Sequence, residues 1–192
     1  MNFKHASRLF ALPTLVTLAL TCLGTRAQAD IVVLKQHNFI QVIAGPYFNA
    51  ASETSDSLNS WTGSLSQILG SHTAGSTLTS TIAADKVTLD SLTHAKAPPR
   101  DYYDPFVAIA EATTQLQFTV SATRTYKVVN AFKGVSTPVI QLLRDGVVVL
   151  SGPFDGTLLF EIGHTYEVDA SAQAWAGFGM GTDSSGYRFS MR

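Results

Sequence analysis

Residues 165–176 read TYEVDASAQAWA, and their two-residue alternation indicates the fold class. Every second side chain from Tyr166 to Ala176 is apolar, whereas the intervening positions are polar until Trp175. A period of two places successive side chains on opposite faces of a β-strand. A helical period would instead mix the small residues with the large indole of Trp175. The row of alanines predicts a second sheet that approaches this strand closely, because small side chains permit tight packing.

Strict alternation also predicts strands in three other segments: 115–121, 158–162 and 187–191. In the second of these, Ile162 is expected on the same buried face as Phe160. Asp145-Gly146 separates two further apolar runs, Val139–Arg144 and Val147–Leu150. An Asp-Gly pair tolerates the positive φ angles that a two-residue hairpin turn requires. The second half of the chain therefore predicts a series of short antiparallel strands.

The first half of the sequence is less regular. Four apolar runs predict strands: 31–34, 39–44, 78–84 and 86–92. Two segments rich in small polar residues are expected to be loops: 49–57 and 70–76. Trp61–Leu69 is compatible with either a strand or a short helix. Ala97–Asp101 contains consecutive prolines, which cannot join a central ladder, so we expect a crossover there within one domain.

The spacing of these strands predicts an all-β protein. Many short strands at intervals of about 8–12 residues, with turn residues between them, indicate a sandwich or barrel. Gly163–Tyr166 suits a tyrosine corner, in which a tyrosine hydroxyl hydrogen-bonds back across the sheet corner of a Greek-key sandwich. We therefore predict that residues 30–192 form a single antiparallel β-sandwich domain of the jelly-roll or immunoglobulin-like kind.

Residues 1–29 are expected to be a cleavable signal peptide. Lys4 and Arg8 precede the apolar run Leu9–Gly24, and small residues occupy the positions three and one before the expected cut after Ala29. The alternative is a membrane anchor, but the apolar run is shorter than the roughly 20 residues that cross a bilayer. The domain is therefore expected to be secreted or periplasmic, with no membrane span after cleavage.

The leader also contains Cys22, the single cysteine of the chain. Lipidation at Cys22 is a minor alternative, because the residues before it match a lipoprotein signal poorly. Without the leader, no cysteine remains for disulfides, thiol catalysis or Cys-ligated zinc. Loss of the leader's three basic residues leaves ten against fourteen acidic ones, a net charge of −4 with neutral histidines. A weakly acidic domain without basic runs argues against nucleic acid and anionic membrane surfaces as partners.

Three features follow one another in the C-terminal part of the chain: FTVSATRTY at 118–126, a strand that ends in Arg144-Asp145-Gly146, and IGHTYEVDASAQA at 162–174. In this order, over residues 106–191, they resemble a loose class of secreted bacterial β-sandwich proteins of the PEP-CTERM-associated type. The resemblance implies a secreted sandwich, and most members of the class have no assigned activity. The sorting tail of that class, with its Pro-Glu-Pro motif, is not found here, so anchoring is not expected.

Common catalytic motifs do not occur in the sequence, including G-x-S-x-G, H-E-x-x-H, the phosphate-binding loop and the EF-hand loop. Gly177–Gly181 (GFGMG) imitates a dinucleotide fingerprint, but it follows a strand and begins no helix. His37, His72, His94 and His164 lie far apart, so no metal site and no cofactor are predicted. The expectation is a protein that is not an enzyme.

Two pairs of acids leave a hydrolase open as an alternative. Asp101 with Asp104, and Glu167 with Asp169, are pairs of carboxylates that could flank a glycosidic bond. Two acids on an exposed strand face are more often solvated surface.

Trp175 is the strongest candidate for ligand binding. If the alternation of its strand holds, its indole lies on the polar face beside Gln173, an arrangement that sugar-binding faces use. Tyr102 and Tyr103 would add stacking surface. The alternative is that a bulge or a neighbouring loop covers Trp175, since isolated surface aromatics are common.

These observations favour a secreted, non-catalytic β-sandwich with a structural or binding role at the cell exterior. The alternatives are a carbohydrate-binding module and a hydrolase with an unrecognised carboxylate site. The expected partner is an extracellular polysaccharide or another surface protein.

Overall fold

The computed structural model describes residues 30–45, 49–98, 107–177 and 181–192, and the described residues form twelve β-strands and no helix. The strands are β1 (Ile31–Gly45), β2 (Asn49–Ser55), β3 (Trp61–Leu69), β4 (His72–Ala83), β5 (Lys86–Lys96), β6 (Val107–Val120), β7 (Arg124–Gly134), β8 (Val139–Arg144), β9 (Val147–Ser151), β10 (Phe154–Phe160), β11 (Tyr166–Ala176) and β12 (Thr182–Met191).

The strands form two antiparallel sheets of six strands, which confirms the predicted all-β sandwich. Sheet 1 has the order β2-β1-β6-β11-β8-β9, and sheet 2 has the order β10-β7-β12-β5-β4-β3. Hairpins join neighbours within a sheet, as in β3-β4-β5, whereas other connections cross between the sheets. The predicted crossover at residues 97–101 joins β5 of sheet 2 to β6 of sheet 1, although residues 99–106 lie outside the described part.

The alternation predicted for residues 165–176 is confirmed in β11. Tyr166, Val168 and the four alanines at alternate positions are buried, while the side chains between them are half-buried or exposed. The Asp145-Gly146 turn is also confirmed, because both residues have positive φ, 51° and 79°. These angles let the β8-β9 hairpin turn in two residues.

Three predictions for individual segments are wrong. Residues 49–57 and 70–76, expected to be loops, contain β2 and the start of β4. Serine and threonine occur in turns, but threonine also favours strands, and a paired neighbour overrides local preference. Ile162, expected to be buried, is 60% exposed, because β10 ends at Phe160.

The first-half strands are longer than predicted. Residues 31–34 and 39–44 belong to the single strand β1, which has a register irregularity between Val33 and Lys35 in its ladder with β6. Trp61–Leu69, which the sequence left open between strand and helix, is the edge strand β3.

The two ends of the sandwich have different cores. At one end, aromatic rings fill the space between the sheets: the ring centroids of Phe160 and Tyr166 are 4.6 Å apart, and those of Tyr126 and Phe160 are 5.4 Å apart. Edge-to-face and tilted pairs at such distances are favourable beyond the area that they bury. Glu161 N–H donates a 2.8 Å hydrogen bond to Tyr166 Oη, which confirms the predicted tyrosine corner.

At the other end the core consists of small residues. Its buried members come from both sheets: Val42, Ala74, Ala95, Ala97, Ala108, Ala110, Ala174 and Ala176. Facing sheets usually lie about 10 Å apart. Cα atoms of β11 come within 8 Å of Cα atoms of β5 and β12, and Ala174 and Ala176 of β11 pack in one cluster with Ala95 of β5. The close approach that the alanine row predicted is therefore confirmed.

Enlarging one of these alanines should destabilise the fold. We expect Ala174→Leu to lower the free energy of unfolding by about 1–3 kcal/mol, because extra methylenes have no room between the sheets. The neighbouring Gln173→Leu should change it by less than about 0.5 kcal/mol, because Gln173 is exposed on the other face. Urea unfolding of both variants tests this, and equal losses would contradict the packing described.

Candidate binding face

Trp175 lies on the outer face of sheet 1, as the alternation predicted. Its side chain is half-buried, and its neighbours Ala174 and Ala176 point into the core. In the ladder, Trp175 is opposite Ile109 of β6, and Ile109 is opposite Ile43 of β1. These three side chains share one face and form an apolar row across three strands.

A polar row lies next to the apolar one. Gln173 is opposite Glu111, which is opposite Gln41, so two amides and a carboxylate cross the same three strands. Rows two residues apart on one face are separated by about 7 Å along the strand. An aromatic ring and several planar hydrogen-bonding groups therefore lie side by side on the outer face of sheet 1.

The following rows also combine polar and apolar side chains. Ser171 is opposite Thr113, which is opposite Phe39 of β1. Beyond it, Asp169 is opposite Gln115, and Gln115 is opposite His37. The last row places Glu167 opposite Gln117, which is opposite Lys35. We call the outward side chains of these five rows, from Trp175 to Lys35, the sheet 1 face.

The sheet 1 face is acidic at its far end. Lys35 Nζ donates to Gln115 Oε1 over 3.2 Å, and Gln115 Nε2 donates to Glu167 Oε1 over 2.7 Å. Desolvation among its neighbours, followed by repulsion from the Glu167 carboxylate, raises the pKa of Asp169 above its ordinary value. Such groups can accept hydrogen bonds from hydroxyls but would repel an anionic ligand.

A buried carboxylate holds the backbone at Trp175. Asp183, at the start of β12, accepts a 3.0 Å hydrogen bond from Trp175 N–H and a 2.8 Å bond from Ser184 N–H. Ser136 Oγ donates to the same carboxylate at 2.7 Å. The ladder between β11 and β8 ends at Ser171, so Asp183 binds the Trp175 amide beyond the end of that ladder. The hydrogen bond to Asp183 therefore holds the backbone of Trp175 against sheet 2.

Of the three predicted ligand-binding residues, the structure places only Trp175. Tyr102 and Tyr103 lie outside the described residues, as do Asp101 and Asp104. Glu167 and Asp169, the other acid pair, share the outer face of β11 as expected from their spacing.

Sequence reasoning missed Gln41, Glu111 and Phe39 as members of the face. Alternation tells which side of a strand a residue occupies, but only the ladder register tells which residues of different strands meet. No sequence pattern indicated that Asp183 would bind the backbone at Trp175.

The four histidines of the described residues lie on separate elements: β1 (His37), β4 (His72), β5 (His94) and the connection between β10 and β11 (His164). His37 Nδ1 is 2.6 Å from Asp56 Oδ1, and His164 Nδ1 is 2.5 Å from Asp145 Oδ2. Within the described ranges, no group of three or more His, Cys, Asp or Glu side chains is arranged to hold a metal ion.

No protein-family model, no curated protein and no solved structure matches the chain. The similarity to PEP-CTERM-associated sandwiches stays a prediction. Among the residues that the structure describes, no helix is long and apolar enough to cross a membrane.

The raised pKa of Asp169 gives a test of the electrostatics of this face. Because the folded chain binds this proton more tightly than the unfolded chain, the free energy of unfolding should fall as pH rises through the raised pKa. We expect Asp169→Asn to increase it at pH 7 by up to about 0.5 kcal/mol. The gain should vanish below about pH 3, where Asp169 is protonated in both states.

The matched control is Asp155→Asn. Asp155 Oδ1 lies 2.9 Å from Lys127 Nζ, so removing its charge should give no gain at pH 7. Chemical unfolding of both variants at the two pH values measures the difference. A loss of stability in Asp169→Asn at pH 7 would contradict the electrostatic account.

Proposed function

We propose that the chain is an exported, non-catalytic binding module that binds an uncharged polysaccharide on the sheet 1 face. The observation that supports this most is the register that puts Trp175 beside the Gln173–Glu111–Gln41 row. The signal peptide predicted for residues 1–29 places the domain in a secreted or periplasmic setting, where such polymers occur.

The side chains of this face suit a sugar chemically. A sugar ring has C–H groups on its faces, which pack on an indole, and hydroxyls at its edge, which pair with amides and carboxylates. Binding sites of this kind combine apolar or aromatic surface with a few convergent polar groups. The face lies on a sheet and spans three strands, about 10 Å, so it suits a polymer lying across it better than an enclosed small molecule.

The charges of the face narrow the class of polysaccharide. Glu111, Glu167 and Asp169 outnumber Lys35, and the mature chain has more acidic than basic residues. Uronate-rich or sulfated polymers would therefore be repelled. Neutral polysaccharides fit this side-chain chemistry.

Removal of the indole should weaken binding strongly. Trp175→Ala is expected to lower the affinity for neutral polysaccharide at least about 30-fold, since an aromatic anchor contributes about 2 kcal/mol or more. Leu92→Ala is the control, because Leu92 is 44% exposed in β5 of the opposite sheet. Affinity electrophoresis in gels with dissolved neutral or acidic polysaccharides measures both variants.

The two tryptophans allow a second readout of the same prediction. Trp61 is half-buried in the edge strand β3 of the opposite sheet, where its ring covers Gly63 and packs against the core. Polysaccharide should therefore still change the fluorescence of Trp61→Phe, but should leave that of Trp175→Phe unchanged. Equal binding by wild type and Trp175→Ala would contradict the proposal. Release of reducing ends from the polysaccharide would instead favour a hydrolase that uses Glu167 and Asp169.

A further inference from the structure

The edge strand β9 has an unusual composition for an exposed edge. Among the described strands it pairs with β8 alone, so its other side has backbone N–H and C=O groups without a ladder partner from that part of the chain. Its sequence is VVVLS, and three successive valines are exposed: Val147 by 67%, Val148 by 46% and Val149 by 50%. Natural proteins usually protect such edges with charges, prolines or bulges, because an apolar edge pairs with other strands.

The opposite edge of the same sheet is protected in this way. The edge strand β2 reads NAASETS, which contains Glu53 and no large apolar residue. β9 has no charged residue, although its ladder with β8 has a register shift between Leu142 and Leu143. The composition of β2 therefore opposes pairing with another strand, whereas the composition of β9 favours it.

The apolar surface continues from β9 onto sheet 2. A pocket of about 120 Å³ is lined by Val149 of β9, by Leu158, Leu159 and Phe160 of β10, and by Leu142, Arg144 and Tyr166. Leu159 is exposed, as is Ile162, which follows the end of β10. Both layers of the sandwich therefore have apolar side chains on the same side of the molecule.

We propose that a second copy of this chain pairs with the first through β9. Two uncharged β9 strands can pair antiparallel about a two-fold axis, because such an interface is self-complementary and brings no like charges together. The exposed valines and Leu159 of the two copies would then pack in a second layer. A charged peptide strand would find no side chain of opposite charge on β9, because β9 has no charged residue.

The symmetry of this pairing has a consequence for ligand binding, which rests on the proposed function. Two antiparallel edge strands in one sheet are related by an axis normal to the sheet, so the outer faces of both copies lie on the same side. Sheet 1 would continue across the dimer as twelve strands. A polysaccharide long enough to contact both faces would bind with increased apparent affinity, because the second contact is intramolecular.

Charges placed on β9 test the pairing. The exported chain should have twice the mass of one copy by sedimentation velocity at micromolar concentrations, and Val148→Lys should weaken self-association at least about tenfold. Val147→Lys is a second variant at a more exposed position and should act alike. Thr54→Lys is the matched control, because Thr54 is exposed on the opposite edge strand β2 and its variant should remain dimeric.

The outcomes are distinct from those of carbohydrate binding. A wild-type chain that sediments as a monomer would overturn the proposal, as would a dimer that resists both β9 lysines while circular dichroism shows native sheet content. Loss of polysaccharide binding in Trp175→Ala with an unchanged dimer mass leaves the β9 interface in place. A dimer that binds no polysaccharide would overturn the proposed function alone.

Discussion

The packing of β11 and β6 against sheet 2 sets the geometry on which the other features depend. These two long central strands of sheet 1 pair through eleven positions, from Tyr166 opposite Phe118 to Ala176 opposite Ala108. Their inward side chains change along the strands from large aromatic rings to alanines. Because protein interiors are packed without large voids, the distance between the sheets must follow this change in side-chain volume. The alanines bring β11 close to sheet 2, where Asp183 of β12 binds the backbone of Trp175.

Buried polar side chains lie between the aromatic and the alanine ends. Tyr187 Oη donates to Thr114 Oγ1 over 2.9 Å, and Thr114 Oγ1 donates to Asn38 Oδ1 over 3.1 Å. Burial raises the pKa of Tyr187, so the phenol remains a neutral donor. Ser76 Oγ of β4 donates to the backbone carbonyl of Glu111 over 2.8 Å and so links the two sheets. Hydrogen bonds of this kind have a direction, unlike apolar contacts, and they favour one alignment of the sheets.

The sequence allowed prediction of the features that depend on neighbours along the chain. The face occupied by Trp175, the Asp145-Gly146 turn and the Tyr166 corner each follow from a few consecutive residues. The rows of the sheet 1 face depend on the register between β1, β6 and β11, which come together from positions up to about 140 residues apart. The strand β2 was missed because its small polar residues occur in loops as readily as in strands, and its pairing with β1 decides between them.

The alternation of β11 can be measured by cysteine accessibility, because the single cysteine of the sequence, Cys22, lies outside residues 30–192. Single cysteines at positions 172 to 176 would be labelled with a maleimide in the folded protein and again in urea. We predict fast labelling at 173 and 175 and strong protection at 172, 174 and 176, with all five equal in urea. Uniform labelling in the folded protein, or protection that recurs every three to four residues, would contradict the fold and the placement of Trp175 together.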